Sequence, residues 1–319
     1  MNSNPDSTTR LNRWTLGALF FNLLVIVWGA YVRASGSGAG CGSHWPLCNG
    51  EVIPVVQGAT AIEFAHRVTS GVCLILAVWI AYLGRRFFER GSRVRRAATF
   101  VLGFTLAEAL LGAALVLLGY VEFDRSLGRA ISIALHLTNT FALLGSLTLT
   151  AWWTTNPQNL QFPSVTLPPV KDREKKEDQL QKLMRVSLLF MFILGLTGAL
   201  TALGDTLFKA PSLAEGMRSD FQSESHFLVK LRVFHPFFAI AGGMITFFLA
   251  DLAANLRSSG IIQKLSTALK ALIALQLCVG GINLVLMAPT LLQLIHLGLA
   301  SILWVVLLTL VIAVHEDRV

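Results

Sequence analysis

The stretch TLGALFFNLLVIVWGAYV, residues 15–32, decides the fold class of this chain. It contains no charged residue and is long enough to span a bilayer as a helix. The full chain of 319 residues has a similar character, with 54% hydrophobic and 14% charged residues, whereas soluble domains carry about 25% charged residues. Open strands cannot satisfy their backbone hydrogen bonds in lipid. The sequence therefore predicts an all-α integral membrane protein.

Eight apolar segments are long enough to cross a membrane as helices of about 20 residues. They cover residues 15–32, 61–83, 97–119, 130–153, 183–203, 233–254, 267–288 and 290–314. The short link at Pro289 predicts that the last two form a tight helical hairpin. No small-residue cleavage site follows the first segment, so no cleavable signal peptide is expected.

Basic residues are concentrated in the loops on one side of these segments. Those loops hold the arginine run from Arg85 to Arg96 and the lysine-rich run from Lys171 to Lys182, and Arg318 follows the last segment. Loops rich in lysine and arginine stay in the cytoplasm. We therefore predict a cell-membrane protein with both termini cytoplasmic. The net charge of +8 follows from this asymmetry and does not call for a nucleic-acid partner.

The stretch 154–182 is predicted to be the longest cytoplasmic loop. It contains the charged run KDREKKED (171–178) and four prolines: Pro157, Pro163, Pro168 and Pro169. It divides the chain into two predicted halves of four helices each, residues 1–165 and 166–319.

Short motifs recur between the two halves at an offset of 168 or 169 positions. GAYVRASG (29–36) is similar to GALTALG (198–204), and EALLGA (108–113) is similar to QLCVGG (276–281). Each half has an even number of spans, so both copies share one orientation. We predict a tandem repeat of two four-helix bundles, related by an axis along the membrane normal.

Four histidines lie inside the apolar segments, near the outer ends of the even-numbered ones: His66, His136, His235 and His296. An ionisable residue in a spanning helix is by default a functional hypothesis. Two inward histidines on facing helices are a common way for a bundle to hold a metal or haem. We predict one bis-histidine haem site in each half. Zinc is a poorer match, because the second half offers no thiolate or well-placed carboxylate.

The position of Glu63 breaks the repeat. Glu63 lies three residues before His66 on the same helical face, whereas the corresponding residue of the second half is Arg232. This difference predicts that the first half performs chemistry and the second holds a cofactor. The alternative is that Glu63 only pairs with Arg67 or another cation. Cations at the outer helix ends are candidates to bind haem propionates: Arg33, Arg67, Lys230 and Arg232.

The sequence also predicts local roles for two further residues, Glu108 and Pro236. Glu108, deep in the third segment, is expected to form an interhelical hydrogen bond, with a proton relay as the alternative. Pro236 follows His235 and is expected to distort the start of that helix.

The loop GSGAGCGSHWPLCNG, residues 36–50, carries Cys41 and Cys48 on the predicted outer side. Disulfides persist in oxidising compartments, and the spacing of the two cysteines is wide enough to close a small loop. We predict a disulfide between them. The spacing leaves open whether the bridge is structural or redox-active.

That loop, followed by EFAHRVTSG (63–71), resembles the haem A synthase family. Its members combine a Gly-Ser-Gly and Trp-Pro-Leu-Cys outer loop with a Glu-x-x-His-Arg second helix, and the resemblance extends over essentially the whole chain. It implies an oxidoreductase that converts the C8 methyl group of haem o to a formyl group, giving haem a for terminal oxidases. It also implies that His66 and His136 bind the substrate haem, with Glu63 near the reacting methyl, and that His235 and His296 ligate a retained haem b.

Two other classes of function stay open at this point. A di-haem b electron carrier usually places two histidines on each shared helix, a spacing that is absent here. A transporter would suit a tandem repeat, but it calls for ion-binding polar residues at the midplane. The resemblance further implies haem o delivered by a haem o synthase, contact with membrane lipid, and an electron-transfer partner that the sequence does not name; a homo-oligomer stays open.

Overall fold

The computed structural model describes residues 5–155, 164–167 and 170–317. The linker prolines Pro157, Pro163, Pro168 and Pro169 and the terminal Arg318 lie outside the described residues. The helices of the described part are α1 (Pro5–Ala34), α2 (Gly58–Phe87), α3 (Arg93–Leu117), α4 (Leu127–Thr154), α5 (Arg173–Leu207), α6 (Leu213–Asp220), α7 (Phe227–Leu231), α8 (Phe234–Leu256), α9 (Gly260–Val285) and α10 (Thr290–Glu316).

Eight spans in the described residues are long and apolar enough to cross a membrane, with α7 and α8 together forming one of them. The only strand-like pairing among these residues is an isolated bridge between Cys48 and Glu51. The prediction of an all-α, multi-pass membrane protein with eight spans is confirmed.

The prediction that residues 154–182 form a loop is wrong for its last part. Helix α5 begins at Arg173, ahead of the apolar segment, and includes the run REKKEDQLQK. Glutamate, lysine and glutamine are good helix formers, so the helix continues beyond the apolar stretch. Helix α1 likewise begins early, at Pro5.

The expected distortion near Pro236 is present. The helix is interrupted at Arg232 and Val233, which separate α7 from α8. Proline has no backbone N–H, so the carbonyl group of Arg232 receives no helical hydrogen bond from Pro236. The break lies just before His235 and sets its position at the start of α8.

Successive spans pack as neighbours in two similar sets. Helix α1 packs on α2, α2 on α3 and α3 on α4, and the same order recurs in α5, α8, α9 and α10. The sets meet where α4 packs against α5 and α10, and where α1 packs against α10. At this seam Trp304 donates a 2.8 Å hydrogen bond to the carbonyl oxygen of Phe141 and stacks on its ring. The tandem-repeat relation itself stays a prediction.

Side-chain contacts identify which helix ends lie together. At one end, Asn12 of α1 donates to the carbonyl oxygen of Ala151 at 2.8 Å, and Arg257 pairs with Glu177 of α5. At the other end, Arg33 donates to Thr206 and Gln293. The starts of α1 and α5 therefore lie beside the ends of α4 and α8. The four intramembrane histidines lie toward the opposite end, near the starts of α2, α4, α8 and α10.

Candidate functional site

Each intramembrane histidine faces a glycine on the preceding span. A Cβ atom added to three of these glycines would lie 2.8 to 3.1 Å from an imidazole carbon, and at the fourth it would lie 3.8 Å from a ring nitrogen. A larger residue at the three tight positions would displace the imidazole. The pairs are His66 with Gly29, His235 with Gly198, His296 with Gly280 and, at the longer distance, His136 with Gly112.

The second-half histidines lie opposite each other, and we call them the His235–His296 site. Their ring centroids are 6.3 Å apart and their planes cross at 85°. A metal ion between two imidazoles, with metal–nitrogen bonds of about 2 Å and about 1.1 Å from each nitrogen to its ring centre, separates the centroids by about 6 Å. The observed separation therefore fits two imidazoles on one iron.

The hydrogen bonds at this site leave a metal-binding lone pair on the ring of His235, whereas Nδ1 of His296 is buried without a hydrogen-bond partner in the described part of the chain. Thr197 uses its hydroxyl hydrogen on the carbonyl oxygen of Ile193, so it accepts from Nδ1 of His235 at 3.1 Å. This leaves the lone pair of His235 on Nε2. The amide nitrogen of Gln276 lies 3.2 Å from Nε2 of His296 and also donates to its backbone carbonyl. A neutral imidazole is the form that binds metals.

The first-half histidines have charged neighbours, and we call them the His66–His136 site. The carboxylate of Glu108 pairs with Nδ1 of His136 and accepts a 2.8 Å hydrogen bond from the hydroxyl of Thr140. The expected interhelical bond of Glu108 is confirmed and joins α3 to α4. Nδ1 of His66 is buried without a hydrogen-bond partner in the described part of the chain.

Glu63 is buried, with 4% of its surface exposed, and both its oxygens are engaged. Oε2 accepts from the backbone N–H of Cys41 at 2.8 Å, and Oε1 accepts from Nε of Arg67 at 3.0 Å. Arg67 in turn donates to the carbonyl oxygens of His44 and Leu47, each at 2.7 Å. Glu63 and Arg67 therefore hold the loop of residues 36–50 on the start of α2. The ion pair that was the alternative role for Glu63 is present.

The predicted disulfide between Cys41 and Cys48 is present. The two cysteines are 0% and 1% exposed, and the backbone N–H of Asn49 donates to the carbonyl oxygen of Cys41 at 3.0 Å. The bridge is thus enclosed by its own loop, which favours the structural alternative because thiol–disulfide exchange requires access to a sulfur atom.

Arg232 has the same kind of role as Glu63 with the opposite charge. It pairs with Asp220 and with Asp205 and donates to the carbonyl oxygen of Gly216, so it binds the segment in front of α8. The sequence did not reveal these two carboxylates as its partners. The other candidate propionate-binding cations also have protein partners: Arg33 binds Ala202 and Thr206, Arg67 binds Glu63, and Lys230 binds Ser223.

Residues 12–308 match the family described as cytochrome oxidase assembly protein (COX15-CtaA). A Thermus thermophilus protein named protoheme IX farnesyltransferase is 40% identical over 309 residues, which are 97% of this chain and 49% of that protein. A Bacillus cereus protein named heme A synthase is 41% identical over 98 residues, which are 30% of this chain and 32% of that protein. The match thus spans half or less of the length of each of these relatives.

Proposed function

The chain belongs to the cytochrome oxidase assembly protein family, and from this premise we propose that it oxidises the C8 methyl group of haem o to a formyl group, giving haem a for terminal oxidases. The Bacillus relative named heme A synthase supports this reaction. The observation that carries the proposal is the 6.3 Å separation of the His235 and His296 rings, which suits an iron held between two imidazoles.

His235 and His296 are the proposed ligands of a retained haem b, which supplies one-electron chemistry when bound. Thr197 orients the ring of His235 through Nδ1. Such a hydrogen bond sets the tautomer and direction of a metal-binding histidine. Gly198 and Gly280 allow the two rings to lie close to the neighbouring helices.

His66 and His136 are the proposed ligands of the substrate haem o. Glu108 holds Nδ1 of His136, so Nε2 is left to face the substrate. The conversion R–CH3 + H2O → R–CHO + 4 H⁺ + 4 e⁻, written with water as the oxygen source, releases protons and electrons. An electron-transfer partner takes the electrons.

Glu63 is the proposed proton acceptor at the reacting methyl group. A carboxylate can take a proton in such a step. In the structure its charge is balanced by Arg67 and by the Cys41 N–H. A proton held on Glu63 would remove the charge that Arg67 pairs with, so proton uptake would loosen the attachment of the outer loop.

We propose that haem o reaches this chain from a haem o synthase. The Thermus relative is named for the attachment of a farnesyl group to protohaem IX, and the part that matches this chain is only 49% of it. The Thermus protein therefore contains a part similar to this chain together with further sequence, and it is named for the farnesylation reaction. This combination in one protein supports direct transfer of haem o from its synthase to this chain. The farnesylated haem is the substrate proposed here.

We also propose that the protein lies in the cell membrane with a defined orientation. The cation-rich segments 85–96 and 171–182 lie at the end where α3 and α5 begin, and we place that end, with both termini, in the cytoplasm. The halves 1–165 and 166–319 are proposed to contain the substrate site and the haem b site respectively.

The test is to purify the protein from a host that makes no haem a of its own, with and without a co-expressed haem o source. Chromatography of the extracted haems should show haem b in both preparations and haem a only with haem o. Reversibly reducible haem b with no haem a in either preparation would identify an electron carrier instead. A preparation without a Soret band would point to a transporter.

A further inference from the structure

A cleft of about 350 Å³ opens at the end of the molecule opposite the histidines. It lies at the seam between the two sets of helices, among the start of α3, the end of α4, the middle of α5 and the end of α10. None of its lining residues belongs to either histidine site.

Two arginines lie at the mouth of the cleft. Arg93, Arg185 and His315 line it. Arg185 is exposed and makes no hydrogen bond or ion pair with another residue of the described ranges. Arg93 is 3.7 Å from Glu316, the carboxylate among the lining residues. Glu316 is held on the α4 side, because its two oxygens accept from the indole N–H groups of Trp152 and Trp153 at 2.7 and 2.9 Å.

The deeper wall of the cleft is apolar. On α5, Leu188 lies one turn further into the span than Met184 and Arg185, and on α10, Val311 and Ile312 lie one turn further in than His315 and Glu316. The cleft therefore combines cations at its mouth with an apolar track that runs toward the membrane interior.

We propose that this cleft binds an anionic phospholipid. Its phosphate lies between Arg93 and Arg185, and an acyl chain follows Leu188 and Val311. Basic pockets between transmembrane helices are characteristic binding sites for acidic headgroups. A free phosphate would use the cations but leave the apolar track uncovered, so the combination favours a lipid.

The test uses delipidated full-length protein in neutral detergent and three probes: dioleoylphosphatidylglycerol, dioleoylphosphatidylcholine and inorganic phosphate. Native mass spectrometry and titration measure retained lipid and affinity. The wild type should bind phosphatidylglycerol in preference to phosphatidylcholine. Arg185→Gln should weaken phosphatidylglycerol binding about five-fold, the effect of one cation near a headgroup.

The matched control is Lys182→Gln, which removes the same charge from the same helix. Lys182 pairs with Asp178 at 2.7 Å and does not line the cleft, so phosphatidylglycerol affinity should stay unchanged. Val311→Trp, which keeps the cations and fills the apolar track, should weaken lipid binding in protein whose helical circular dichroism is unchanged.

Three results would overturn the proposal. Equal binding of the two lipids would remove the headgroup preference. An equal loss in Lys182→Gln and Arg185→Gln would indicate diffuse surface charge. Full competition of phosphatidylglycerol by millimolar inorganic phosphate, with Val311→Trp binding normally, would indicate a simple anion site.

Discussion

The His66–His136 and His235–His296 sites share a framework and differ in charge. In both, each imidazole faces a glycine of the preceding span. The second histidine of each site is held from the neighbouring helix: Glu108 contacts Nδ1 of His136, and Gln276 contacts Nε2 of His296. That holder is a carboxylate in the first site and a neutral amide in the second. The two sites thus keep their histidines and facing glycines while the charge of the neighbouring group changes, and such neighbours tune a histidine that binds a metal.

A similar contrast in charge exists where the preceding loops attach to α2 and α8. Glu63 binds the disulfide loop through Arg67 and the Cys41 amide, whereas Arg232 binds its loop through Asp205 and Asp220. Both residues therefore attach the segment that precedes a span to the start of that span. A carboxylate, however, can also accept a proton, which an arginine does not do.

The largest effect is expected from removing a proposed ligand at the His235–His296 site. His235→Ala or His296→Ala should abolish low-spin haem b in the purified protein, because an iron held by two imidazoles loses one of them. Absorption spectra measure this directly. His44→Ala, which changes an exposed histidine, is the control. Normal b-type spectra in both site variants would show that these histidines are not the ligands.

The second prediction concerns Glu63. Glu63→Gln keeps the shape and removes the charge, so haem a formation should fall by at least about 100-fold, the usual scale for losing a general base, while haem b stays bound at the second site. Haem chromatography and folded yield are measured together. A purely structural ion pair would behave differently, since yield and both haems would decline together. Haem a at the wild-type rate would remove Glu63 from the reaction.

The third prediction is a partial loss of haem a formation when the Cys41–Cys48 loop is opened. Cys41→Ser opens the loop that Glu63 holds, and a small disulfide loop contributes about 2 kcal/mol. Haem a formation should decrease while the haem b spectrum is unchanged. Cys73→Ser, at a buried free thiol of the same first half, should leave haem a formation unaffected. Mass spectrometry of unreduced, active protein that finds both loop thiols free would contradict the bridge.

The smallest effect is a shift in redox potential. Gln276→Glu places a carboxylate beside His296, as Glu108 lies beside His136. The added negative charge should favour the oxidised iron. The haem b midpoint potential should therefore fall by about 60 mV, a tenfold change for one electron. Gln276→Ala, which removes the contact without adding charge, should not lower it. Spectroelectrochemical titration compares the two variants, and equal potentials would show that the holder's charge does not affect the iron.

Several features followed from sequence because they depend on local composition. Lipid requires every backbone group to be paired within the chain, so eight apolar segments could only be helices. The depth of the histidines and the interruption before Pro236 followed from position along a helix. The sequence did not predict the helical start of α5 at Arg173, because a dense run of charge after several prolines is typical of a loop, although its residues are good helix formers.

Contacts between distant segments required the tertiary structure. No periodic pattern in the sequence links the residues that meet in these contacts. They are the bond from the Cys41 amide to Glu63, the pairing of Arg232 with Asp205 and Asp220, the contact of Thr197 with His235, and the cleft between α3, α5 and α10. Composition and spacing determine which residues enter the membrane and at what depth. Partners are decided by how the helices pack, because a buried polar group is satisfied by whichever group the packing brings to it.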